Sequence, residues 1–366
     1  MFDSYRSLLD RCRLWWKNSC SLLLAIALSL PLCAGLPAGN AITDGKALLR
    51  YALPIDNPPV REVQGNLEDI ATQLRRKRWT GISSDISKAA AILRDRPEDL
   101  LESVPDANKS VAQSVIGQLN QEIDALQAAV ETKDKEQILT ARDRVLNGVG
   151  ELEALMVTGF PYKVPDKYNN LPQLKGRATV EIATNKGNLT VVVDGYSAPV
   201  TAGNFVDLVQ RGFYNGLEFT RSEESYVLQV GDPPGADVGF VDPKTRKYRS
   251  IPLEVLVEGD SAPTYGITLE DAGRYTDQPV LPFSAYGALA LARPEDEPDG
   301  GSSQFFFFLF EAELTPAGRN LLDGRYSVFG YMVEGKEVLE KLKQGDKIES
   351  ARVIEGAENL VAPQAA

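Results

Sequence analysis

With 366 residues, 43% of them apolar and 25% charged, the chain has material for two ordinary globular domains, each with its own core. Its formal net charge of −12 argues against general binding to nucleic acid or anionic lipid. It contains no histidine, which excludes imidazole general bases, Ser-His-Asp and Cys-His catalysis, and His-ligated metals.

Residues 1–41 read as an export signal. Arg6, Arg11, Arg13 and Lys17 precede a largely apolar run from Leu22 to Leu36. That run is too short to span a membrane, and its flanks fit secretion. Gly39-Asn40-Ala41 offers small residues at −3 and −1 for cleavage. No twin-arginine pair is present, which favours the general secretory route, and Pro31-Leu32 ahead of Cys33 makes a poor lipoprotein site. Cys12, Cys20 and Cys33 all lie in this segment, so the exported product is expected to have neither a disulfide nor thiol chemistry. Subtracting the segment's +2 from −12 leaves −14. The product is expected to be exported and at most peripheral to a membrane.

Residues 42–158 carry helical periodicity. Leu67, Ile70 and Leu74 form one stripe, and Ile82, Ile86, Ala89 and Leu93 another. Pro97 can open a short helix containing Leu100 and Leu101. Ile116, Leu119, Ile123, Leu126 and Val130 step 3-4-3-4, and beyond Lys133-Asp134 a partner helix carries Ile138, Val145 and Leu152 at sevens. An all-α antiparallel bundle pairs these stripes most simply; a coiled-coil dimer is the alternative, though each helix has only about three heptads. Arg75-Arg76-Lys77-Arg78 is the one basic run, most simply a solvated helix face.

A linker over residues 159–174 combines Pro161, Pro165 and Pro172 with Phe160, Tyr162 and Tyr168; the aromatics predict that it packs against something. From 175 to 357 the period changes to two. Ala178–Thr184 and Asn188–Asp194 flank Asn185-Lys186-Gly187 as a hairpin, Pro199 to Arg211 reads as a helix, and Gly335 to Lys343 as a second. Many strands with two helices imply a closed antiparallel β-barrel with helical plugs, followed by a tail over 358–366.

Two segments in this half carry the chemistry. Val227 and Gln229 share one face of a strand, as do Gln304 and Phe306. If the two strands are neighbours, they make an apolar floor edged by amides with Arg221 close by. Such a surface suits a peptide segment with an apolar ring and two carbonyls to hold, an X-Pro unit.

The order and spacing of these motifs resemble the cyclophilin family of peptidyl-prolyl isomerases over roughly 177–355. The resemblance rests on Ala198-Pro199-Val200-Thr201 with Asn204-Phe205, on Gly212-Phe213-Tyr214-Asn215-Gly216-Leu217 before Phe219, and on Gln229-Val230-Gly231-Asp232-Pro233. It continues through Gly287-Ala288-Leu289-Ala290, Ser303-Gln304-Phe305-Phe306, and Leu322-Asp323-Gly324 with Val328-Phe329-Gly330. The whole arrangement, with Leu48 to Asp56 just after the signal, is similar to the large multidomain cyclophilins of the thylakoid lumen in chloroplasts and cyanobacteria. The resemblance implies a lumenal location (a periplasmic one is the alternative) and a helical part comparable to the Q-type extrinsic bundle of photosystem II. It also implies a role in photosystem II assembly or repair, with photosystem II subunits as partners.

It further implies prolyl isomerisation of proline-containing protein segments, without cofactor or metal. Arg221 matches the catalytic arginine, and Gln229 a substrate-backbone anchor. Tyr226, Val227, Phe306 and Leu322 match the proline pocket; Ala292, Arg293 and Gln304 match contacts to the residue before proline. Tyr326 stands where the family has a pocket histidine, Thr220 where it has another, and Leu321 where many members carry tryptophan. Glu223 and Glu224 are close enough in sequence to pair with Arg221. These departures point to reduced turnover, or to an assembly chaperone that holds proline loops. A structural subunit of a photosynthetic complex is a third reading. Residues 238–286 read as a surface insertion that could touch the helical part, and the helical part as a possible cover for the pocket.

Overall fold

The structure, a computed structural model, describes residues 42–310 and 320–363. The expected export signal and the last three residues of the tail lie outside the described residues.

Six helices come first: α1 (Gly45–Tyr51), α2 (Pro58–Arg75), α3 (Trp79–Asp95), α4 (Pro97–Leu101), α5 (Lys109–Thr132) and α6 (Lys135–Met156). Local chemistry sets their ends. The Asn57 side chain accepts from Val60 N at 2.9 Å, and Pro58 and Pro59 occupy the first turn of α2, where a missing N–H costs nothing. Lys133 closes α5 in the left-handed region at φ 56°, and Asp134 caps α6 by accepting from Glu136 N and Gln137 N. The two-residue turn folds α6 back along α5. Every apolar position named in the stripes is buried, and α2, α3, α5 and α6 share one core within a single chain. The stripes are therefore satisfied as an intramolecular bundle rather than a coiled-coil dimer.

Helix α1 packs elsewhere. Leu48, Leu49 and Ala52 are buried with Phe283, Ala288, Phe308 and Tyr331 of the β-rich half. A Cβ at Gly45 would come within 2.8 Å of Tyr331 Cβ, so only glycine lets the helix approach this closely.

The second half holds an eight-stranded antiparallel sheet. Its strands are β2 (Arg177–Thr184), β3 (Gly187–Asp194), β4 (Arg221–Glu223), β5 (Val227–Val230), β8 (Ala288–Leu291), β9 (Phe305–Phe308), β10 (Val328–Glu334) and β11 (Ile348–Glu355), in the order β11-β2-β3-β10-β8-β9-β5-β4. The expected hairpin is β2–β3, paired residue for residue from Arg177↔Asp194 to Thr184↔Gly187. The closed barrel is corrected: the sheet curls but stays open between β4 and β11. Only an isolated bridge, Glu218↔Lys347, and neighbouring hydrogen bonds such as Phe219 N to Asp346 O (2.9 Å) link the segments leading into those edges. Strand β4 is three residues long and ends in a turn with Ser225 at φ 58°, so it pairs with β5 but forms no second ladder with β11. Helix α7 (Pro199–Gln210) lies where expected, whereas the second helix, α8, is cut to Lys336–Leu339.

Phe305 and Phe307 of β9 face the inner core with Phe205 and Phe329, while Phe306 and Phe308 face the outer layer with α1. The four consecutive phenylalanines thus serve two cores, one per face.

The expected surface insertion, 238–286, is more than surface. It forms β6 (Glu254–Val255) with β7 (Thr264–Tyr265) and buries Phe240, Ile251 and Phe283. Its Arg249 donates to Asp207 Oδ2 at 2.7 Å and Asn204 Oδ1 at 3.0 Å, both on α7. Ser284 Oγ donates to Ile42 O at 2.6 Å, so the insertion does reach the N-terminal part. The linker packs as expected: Val164, Tyr168 and Leu171 are buried with Val200, Ile251 and Leu291. Its end, β1 (Gln173–Leu174), pairs with β12 (Leu360–Val361) of the tail.

Glu254 is buried, and its carboxylate accepts from Val200 N (3.1 Å) and Thr201 N (2.8 Å) at the start of α7. Burial pushes its pKa up to about 7 against the opposing pull of those N–H donors. A carboxyl with a raised folded-state pKa favours the folded state while protonated. Its ionisation therefore costs stability progressively as pH rises from 4.5 through about 7, by up to about 3 kcal/mol. Denaturant titrations at pH 5 and pH 8 are expected to show this loss, and Glu254→Gln is expected to remove most of it.

Candidate active site

Strand register assembles the candidate residues. Arg221 on β4 pairs with Gln229 on β5, Gln229 with Phe306 on β9, and Phe306 with Ala290 on β8. Residues in register share a face, so one row across four strands carries the arginine, an amide and an aromatic floor. Two residues along lies a parallel row, Glu223–Val227–Phe308–Ala288–Tyr331, on the same face. Tyr331, at its far end, is the residue on which α1 sits.

A cleft of about 340 Å³ opens over the first row. All ten candidates line it: Arg221, Tyr226, Val227, Gln229, Ala292, Arg293, Gln304, Phe306, Leu322 and Tyr326. Phe306 is buried at 5% exposure and meets Tyr326 edge-on at 5.5 Å, while Phe283 stacks parallel to it at 6.0 Å. The floor is therefore an aromatic surface held from two sides. Leu321, 87% exposed, does not line the cleft, whereas its neighbour Leu322 does.

The polar groups divide by what they already bind. Gln229 Nε2 donates to Gln304 Oε1 at 2.7 Å, and Gln304 Nε2 donates to Asp232 Oδ1 (3.1 Å) and Val238 O (2.8 Å). Gln304 therefore positions Gln229 more than it offers groups of its own. Gln229 Oε1 accepts no hydrogen bond from the described residues and remains available to a peptide N–H. Arg293 is also committed: Nε donates to Arg325 O at 2.9 Å, and Nη1 to Pro294 O at 2.8 Å and Glu295 O at 2.7 Å. Burial pulls its pKa below the usual guanidinium value. Its plane lies over the Tyr326 ring at 5.2 Å, so it fixes that ring and shapes the rim.

Arg221 Nε donates to Glu223 Oε1 at 2.7 Å, and Nη2 reaches the same oxygen. Nη1 has no hydrogen-bond partner among the described residues.

Sequence reasoning missed Val238, Tyr248, Pro294, Gly300 and Ser302, which complete the lining. Val238 and Tyr248 come from the insertion, whose sequence gives no sign of which surface it lies against. No lining residue comes from 42–158, so the helical part does not cover the cleft. It meets the same outer layer at the opposite end, through α1.

Two family models match separate stretches of the chain. Residues 179–358 match the family model "Cyclophilin type peptidyl-prolyl cis-trans isomerase/CLD". Residues 44–157 match "Peptidyl-prolyl cis-trans isomerase CYP38-like, PsbQ-like domain". A Synechocystis protein named as a thylakoid lumen peptidyl-prolyl cis-trans isomerase is 59% identical, over 92% of this chain and 89% of its own length. The chloroplastic peptidyl-prolyl cis-trans isomerase CYP38 of Arabidopsis thaliana is 44% identical over 91% of this chain and 79% of its own. Its compatriot CYP37 is 33% identical over 87% and 71%.

Proposed function

The chain belongs to the cyclophilin-type peptidyl-prolyl cis-trans isomerases, and on that premise we propose that Arg221 is its catalytic donor and the cleft its proline site. The observation that carries this is the single row Arg221–Gln229–Phe306, which sets a cation, a backbone anchor and an apolar floor side by side. The proline ring rests on Phe306 between Val227, Leu322 and Tyr326. Gln229 holds the flanking backbone, Ala292 and the Arg293–Gln304 rim border the preceding residue, and Tyr226 closes the edge. Twisting the X-Pro bond localises the lone pair on the prolyl nitrogen, and a guanidinium N–H aimed there binds the twisted state better than the planar one. No nucleophile or proton shuttle is needed, so the absence of histidine is no obstacle.

The names of the relatives support a site of action in the thylakoid lumen after export. The PsbQ-like match supports a role in photosystem II assembly or repair, with photosystem II subunits engaged through the isomerase part (175–357) or the helical part (42–158). The linker (159–174) and tail (358–366) are joined by the β1–β12 pair.

A second reading, a slow or inactive chaperone that holds proline loops, is favoured by the engagement of Arg221 with Glu223. Exchange spectroscopy on a proline tetrapeptide separates the two. The isomerase accelerates cis-trans exchange above the uncatalysed rate, whereas peptide binding with no acceleration leaves the chaperone. Phe306→Ala removes the floor and is expected to lower kcat/KM about tenfold to a few hundredfold, mostly through KM.

A further inference from the structure

Arg221 meets a substrate only after leaving another partner. Glu223 Oε1 accepts from Arg221 Nε at 2.7 Å and from Nη2, so one carboxylate oxygen holds two of the three guanidinium nitrogens. Both residues sit on β4, two positions apart and on the cleft face, and Glu223 pairs in register with the pocket residue Val227. Glu223 does not itself line the cleft; its carboxylate sits at the cleft's edge, against Arg221 and in register with Val227, both of which do. Glu224 follows it, exposed, in the turn to β5. Across the cleft, the lining residues Pro294 and Gly300 bracket Glu295, Asp296, Glu297 and Asp299, all exposed. The cationic side chains in the lining are Arg221 and Arg293, and Arg293 has spent its donors on carbonyls. An aromatic floor in a polar-rimmed cleft, with carboxylates at two edges, suits a ligand that is apolar at its centre and positive at its edges.

We infer that Glu223 is the specificity-determining residue of the cleft, selecting X-Pro segments that carry Lys or Arg beside the proline. The substrate cation takes the Glu223 carboxylate, and Arg221, relieved of it, turns to the prolyl amide. Segments with neutral or acidic neighbours leave the pair intact and are turned over more slowly. The exchange is feasible because both partners are about half exposed, at 53% and 47% of their side-chain surface, and such pairs are weak and easily screened. The inference rests on the proposed role of Arg221.

The test measures kcat/KM of the purified protein by protease-free exchange on three tetrapeptides that differ only beside the X-Pro unit, in Lys, Ala or Glu. The expected order is Lys above Ala above Glu, with about a fivefold step from Ala to Lys that shrinks toward unity in ~1 M salt. Glu223→Gln is expected to raise the Ala peptide toward the Lys peptide and narrow their ratio to within about twofold. Equal rates on the three peptides, or a ratio untouched by Glu223→Gln, overturn the inference. Arg221→Ala separates the two levels. If it abolishes turnover while the charge preference is absent, the inference alone fails; if turnover does not depend on Arg221, the reading of the cleft fails.

Discussion

Arg221→Ala is expected to lower kcat/KM for a proline tetrapeptide about 10²–10³-fold. Losing one aimed donor in comparable sites costs about 2.7–4 kcal/mol of transition-state binding. The barrier to peptide rotation is roughly 18–20 kcal/mol, so a single donor accounts for only part of the acceleration. Phe306 and Gln229 supply the rest by holding the substrate in place. The side chain is half exposed and its ion-pair partner equally so, which predicts a stability change within about 0.5 kcal/mol. The variant should therefore fold, bind and fail to turn over. Arg221→Lys is not a conservative control: an ammonium lacks the planar fork that can hold a carbonyl oxygen while another N–H points at the nitrogen. It is expected to fall between wild type and alanine. A loss in the alanine variant matched by an equal loss of tetrapeptide affinity, measured by NMR titration, would instead mean that Arg221 binds without catalysing.

The alternation that placed Val227 with Gln229 and Gln304 with Phe306 was readable because side chains two apart on a strand share a face whatever the rest of the chain does. What makes a row of them is register, and register depends on pairing between β4, β5 and β9, residues some eighty positions apart. Arg293 reads as a substrate contact because it matches a family position beside the residue before proline. Nothing local reveals that its donors are taken by the carbonyls of Pro294, Glu295 and Arg325. The stripes of the bundle core were legible, since amphipathic helices have little else to do than meet each other, although Val60, Val63, Ala112, Val115 and Leu146 of the same core were not picked out. Helix α1 was not: seven residues offer a single turn or two of apolar spacing, which says that one face is buried but not against what. The barrel's failure to close follows from the three-residue length of β4, and pattern alone could not set that length.

Helix α1 also carries a stability prediction. Its C-terminal carbonyls are claimed by arginines from both halves of the protein: Arg61 of α2 donates to Arg50 O at 2.8 Å and Leu53 O at 2.9 Å, and Arg177 of β2 reaches Leu49 O. The same Arg61 Nη1 donates to Glu153 Oε1 of α6 at 3.0 Å, a carboxylate with no exposed side-chain surface. Burial already pushes the Glu153 pKa up to about 7 despite the three nearby arginines, so the pair sits close to the limit of what the site can hold charged. Arg61→Met removes the nearest of those cations and one of the two donors to each carbonyl, which keep the backbone N–H of Leu53 and of Ile55. Because Glu153 can take up a proton once its partner is gone, the stranded charge costs at most about 1.4 kcal/mol at pH 8; with the lost hydrogen bonds and packing the expected loss is about 2–3 kcal/mol, read as a fall in the urea midpoint. Below pH 5, where Glu153 is protonated, the loss should shrink to what the carbonyl contacts and packing contribute. Adding Glu153→Met to Arg61→Met removes the stranded carboxyl and is expected to recover about half of the deficit at pH 8, because a buried ion pair replaced whole by apolar groups costs less than one broken in half. If the double variant is no more stable than the single one, the cost lies in the lost donors to the carbonyls around α1 rather than in the ion pair.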